Sequence, residues 1–108
     1  MINPSSSAEI ELMQSLLEPL LEDFRYWFGR SLELLEKERL SFMSLDTQAE
    51  FTERIRSIIG EVNAASALFQ VSGKQVGVDV ASITSWHKVL MECQVMGMQY
   101  RQSHQSPE

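Results

Sequence analysis

Few residues in this chain are of types that do chemistry. It has one cysteine, Cys93, and two histidines, His87 and His104. Cys93 and His87 are six residues apart, about 120° around a helix, too divergent to share a metal easily. Cys93 falls on an apolar line, where a thiol behaves as a small inert hydrophobe. His87, beside Trp86, reads as a boundary histidine stacking on the bundle, and no Ser/His/Asp arrangement can be argued from the spacing. A di-iron bundle needs Glu-x-x-His pairs, and the residues three before the histidines are Thr84 and Arg101. Gly73-Lys74 resembles the end of a phosphate-binding loop, yet Leu68 stands where the first glycine belongs and Gln75 replaces Ser/Thr. Glu18 and Glu22 sit at i, i+4, but they belong with Glu11, Glu33 and Glu36 to an outer acidic line of solvated character. The expectation is a protein that is not an enzyme, with no cofactor and no metal.

The elements that would position these residues are helical. Residues 8–40 read as a long first helix, opened by a capping box of Ser6 and Glu9. Met13, Leu17, Leu20, Phe24 and Trp27 recur in steps of four and three, and Leu21, Phe28, Leu32 and Leu35 widen that stripe. Pro19 removes a helical N–H inside the pattern, so a kink is expected there. A second helix begins at 45–47 with Thr47 and Glu50 as a capping box. Its stripe is Phe51, Ile55, Ile58, Val62, Ala65 and Phe69. The third helix covers 82–101, with Ile83, Trp86, Leu90, Cys93, Gly97 and Tyr100 on its main face. Between them, Val76, Val78 and Val80 alternate with Gly77 and Asp79, which predicts an extended Gly/Val connector anchored by its valines. Short connections favour antiparallel neighbours, so the predicted fold is an all-α antiparallel three-helix bundle. It forms one helical domain over 8–101, with flexible ends at 1–7 and 102–108.

Composition narrows the partners. Fifteen acidic residues against nine basic ones leave a net charge of −6 in 108 residues, which argues against a phosphate-backbone surface and so against nucleic acid. No apolar run approaches the roughly 18 residues needed to cross a bilayer, so membrane insertion is not expected. The N-terminus lacks a basic, then apolar, targeting pattern, and the expected location is cytoplasmic.

Two apolar surfaces exceed what three helices comfortably cover. The first helix is longer than its partners, so its segment before Pro19, with Met13, Leu16 and Leu17, would overhang and need a second chain. Met91, Val95 and Met98 form a second line on helix three, pointing away from its main face; methionine suits pliable binding surfaces. Both read as contact surfaces for a homodimer or a protein partner. The alternative is a small-ligand or pigment pocket near Trp27, Trp86 and the 73–80 connector. In that alternative the aromatic cluster Phe24, Trp27 and Phe28 would line a cavity rather than a packed core.

The stretches LLEPLLEDFRYWFGRS at 16–31, ERLSF at 38–42 and QVGVDVASITSWH at 75–87 carry a further signal. Over residues 12–101 the chain resembles a short helical family of unknown function found in cyanobacteria. The resemblance implies a cyanobacterial protein with no catalytic residues to carry over, and an accessory or regulatory role.

Overall fold

The computed structural model describes residues 7–73 and 78–104, and within the first helix it leaves the side chains of Ser7, Glu9, Ile10 and Met13 outside the described part. Three helices follow one another: α1 (Ser7–Lys37), α2 (Leu45–Val71) and α3 (Val80–Ser103). At 1.5 Å per residue they are about 46, 40 and 36 Å long, which makes the bundle an elongated body. Its radius of gyration is 17.3 Å, against about 13 Å for a compact chain of this size.

α1 is the spine. It packs along both α2 and α3, whereas α2 and α3 approach each other only marginally. The arc of α1 that does this carries Leu17, Leu21, Phe24, Phe28 and Leu35, all buried. From α2 come Phe51, Ile55, Ile58, Val62 and Phe69, and from α3 Trp86, Val89, Cys93 and Met96. Phe24 organises the centre. It stacks on Phe28 with ring centroids 5.7 Å apart and receives Trp86 edge-on at 5.6 Å. The Trp86 indole N–H is then satisfied by donating to Glu61 Oε1 of α2 at 3.0 Å.

The helix ends differ from the sequence expectations in instructive ways. α1 stops at Lys37 rather than near residue 40 because a side chain captures its terminal carbonyls. Gln48 Nε2 donates to the Leu35 and Glu38 carbonyls at 2.9 and 2.8 Å. Its Oε1 accepts from the Leu40 N–H at 3.0 Å and from Arg39 Nη1 at 2.9 Å. This amide, only 8% exposed, therefore closes the loop between α1 and α2 with all of its hydrogen-bonding groups occupied.

α2 is capped by Ser44, not Thr47: the Ser44 hydroxyl accepts the Thr47 N–H at 3.0 Å, which places Thr47 inside the first turn. α3 begins at Val80, with Asp79 as its N-cap, two residues before the predicted start. Val80 is consequently helical and 74% exposed, so it is not an anchor. Val78 is half-buried against the core. Val76 and Gly77 of the expected connector lie outside the described residues, as does Ser6 of the first capping box. α1 runs through Pro19 as one helix.

Candidate interaction site

The sparse contact between α2 and α3 leaves a groove of about 450 Å³ between the first half of α2 and the second half of α3. Its apolar lining comes from Met43 in the loop, Phe51 of α2, and Met91, Val95 and Met96 of α3. Phe51 and Met96 are buried and form the floor, while Met91 and Val95 are half-exposed on the lip. Arg54 spans the two helices above them as a fork. Its Nη1 donates to Glu92 Oε1 at 3.1 Å and its Nη2 to Glu92 Oε2 at 2.8 Å. The same guanidinium lies over the Phe51 ring, 5.4 Å from its centroid. These hydrogen bonds hold the Glu92 carboxyl below the usual glutamate range and raise the Arg54 guanidinium above its ordinary value.

Of the contact residues expected from sequence, Met91, Val95 and Met98 are about half-exposed, as a surface line requires, and the first two line the groove. Leu16 is 64% exposed. Leu17 is corrected: it is buried in the core. It lies four and seven residues before Leu21 and Phe24, on their face, while Leu16 is about 100° further round. Met13 lies outside the described side chains.

Trp27 is also corrected. It sits about 80° from the centre of the Phe24–Phe28 arc, so it is 49% exposed and packs edge-on against Tyr26 at 4.9 Å. Trp86, by contrast, is buried. The two indoles thus occupy different environments, one half-exposed and one buried.

The groups with intrinsic reactivity are not assembled around this groove. Cys93 is buried, and desolvation pushes its thiol pKa up, with a hydrogen bond to Ser31 acting the other way. His87 is exposed, about 120° around α3 from Cys93. Among the described residues no group of three or more His, Cys, Asp or Glu could hold a metal ion. No described helix is long and apolar enough to cross a membrane.

Sequence reasoning missed the contributions of Met43, Arg54 and Gln48. Met43 had a signal, since Leu40, Phe42 and Met43 place three large apolar residues in a loop. Gln48 had one too, standing three residues before Phe51 as a polar residue on the α2 apolar stripe. The Arg54–Glu92 fork joins residues 38 apart and leaves no local trace.

Charge divides the molecule along its length. The Phe24–Trp86–Glu61 contacts mark a level across all three helices. On the N-terminal side of that level α1 carries Glu9, Glu11, Glu18, Glu22 and Asp23 and no Lys or Arg. The facing ends of α2 and α3 add Glu61 and Asp79. Among the described residues the other half carries seven acidic side chains and eight basic ones. The groove lies in that balanced half, together with the ion pairs Arg54–Glu92, Arg56–Glu36 and Arg56–Glu53.

The chain belongs to a protein family of unknown function, DUF2605, which matches residues 7–102. No curated protein and no solved structure matches it.

Proposed function

We propose that this chain is a non-enzymatic helical interaction module that self-associates through the α2–α3 groove and the Met91–Val95–Met98 line. The observation that carries the reading is the groove itself. It has a buried floor of Phe51 and Met96 and half-exposed methionine and valine lips, between two helices that do not close on each other. Pliable methionines on a concave apolar surface suit an incoming helix. The charge balance of this half favours a second copy as the occupant, because two such surfaces meet without a like-charge penalty. In the cell this would make the protein an accessory or regulatory factor, in cyanobacteria as the sequence resemblance implies. Static light scattering across a concentration series tests the reading. A mass that rises with concentration in the wild type, and stays at one chain in Met91→Glu and Val95→Glu variants of unchanged helicity, supports it. A strict monomer at every concentration sinks it.

A further inference from the structure

The sulfur atoms of this chain are sorted by depth. Cys93, its one cysteine, is buried, and desolvation disfavours the thiolate, the form that reacts. The thioethers of α3 follow a gradient instead. Met96 is 2% exposed in the groove floor, whereas Met91 and Met98 are 49% and 50% exposed. Five residues separate Met91 from Met96, about 140° around the helix, so one faces out and the other in. Across the groove, Met43 is half-buried against the core.

A diffusing oxidant meets the sulfurs in order of exposure. A reactive cysteine would ordinarily be attacked first, but here burial withdraws it and leaves Met91 and Met98 as the exposed thioethers of the groove half. With hydrogen peroxide, a lone pair of the methionine Sδ attacks one peroxide oxygen. An S–O bond forms and the O–O bond breaks. The sulfur is oxidised by two electrons, and the second oxygen takes up the proton of the first and leaves as water. The sulfoxide is polar where the thioether was apolar, and methionine sulfoxide reductases reverse the change.

We propose that Met91 and Met98 are a reversible oxidation site, at which a peroxide converts both to sulfoxides and thereby separates the associated copies. The proposal rests on the self-association reading of the groove. A second copy seated there would bury the new sulfoxide oxygens among apolar side chains, where an unpartnered polar group is costly. Val95 stands four residues after Met91 and three before Met98, so both sulfoxides fall on one contact line. Met96, shielded beneath it, keeps the floor apolar and the fold intact.

The test treats the full chain with hydrogen peroxide and follows it by peptide mapping, circular dichroism and static light scattering. Met91 and Met98 should each gain one oxygen while Met96 stays unmodified and helicity is unchanged. The dissociation constant of the assembly should rise about tenfold or more. Reductases for both sulfoxide epimers, supplied with a dithiol, should restore it. A Met91→Leu/Met98→Leu variant keeps the apolar line without the oxidisable sulfurs, and should associate before and after peroxide alike. The inference is overturned if wild type associates equally after oxidation, or if Met96 is oxidised as fast as the exposed pair. It is overturned too if the leucine variant is monomeric under peroxide, or if the reductases fail to restore assembly. A wild type already monomeric without peroxide ends the self-association reading and this inference together, a failure visible in the untreated sample.

Discussion

The two ends of this bundle solve the same problem with different means. Where α1 turns into α2, every feature closes the structure. Gln48 ties down both strands of the turn, Ser44 caps α2, and Arg56 reaches across to Glu36 of α1. Where α1 begins, leucines face solvent, like charges accumulate, and the hydrogen bond from Gln70 to Glu18 is the described side-chain link between α1 and α2. The lesson is that polar saturation closes one end of the α1–α2 pair while the other keeps apolar side chains in solvent. The saturated turn has no polar group left to satisfy, whereas Leu12 and Leu16 at the other end stand 60% and 64% exposed.

Substitutions can break or sharpen that contrast. The largest effect is expected at Gln48→Ala, which strands the buried Leu35 carbonyl and Leu40 N–H together. Chemical denaturation should show a loss of about 3 kcal/mol, and the melting temperature should fall by roughly 10 °C or more. A loss below about 1 kcal/mol would mean that water substitutes for the amide, and that this end is less closed than its hydrogen bonds suggest.

A smaller effect is expected from Arg54→Ala, at most about 1 kcal/mol, because both partners of the fork are close to half-exposed. Its pH dependence has a definite sign. The Glu92 carboxyl is held low in the folded state, so its contribution is present above the ordinary glutamate value and lost as pH falls through the depressed one. The stability difference between wild type and variant should therefore shrink on acidification below about pH 4.

The smallest effect is expected at the open end. Leu12→Gln with Leu16→Gln should leave stability of the isolated chain within about 0.5 kcal/mol of wild type. A clear destabilisation would show that these leucines already pack against the chain itself, and the contrast between the ends would dissolve.

Most of the fold was legible because helical periodicity reports which face is buried. The α2 stripe from Phe51 to Phe69 reads directly as the buried face of that helix. Periodicity is weaker at the margin of a broad stripe, where Leu17 and Trp27 exchanged roles. Leu17 lies toward the middle of the buried arc and Trp27 at its edge, and the stripe was wide enough to admit both. The exposed line of α3 could be drawn from spacing alone, since it opposes Trp86, Val89 and Cys93. The groove could not. It depends on how far α2 and α3 stand apart, and on Arg54 meeting Glu92, both set by tertiary packing on α1 rather than by any local pattern.

That α1 serves as the common neighbour of two helices that barely meet also orders events in time. The α1–α2 hairpin has a short loop with its own amide staple, so its contacts close at low entropic cost. α3 follows a connection of nearly the same length, without such a staple among the described residues, and finds its footing mainly on α1, through Trp86 against Phe24. The expected order is the hairpin first and α3 last. Weakening the Trp86 contact should accelerate unfolding while leaving the refolding rate almost untouched.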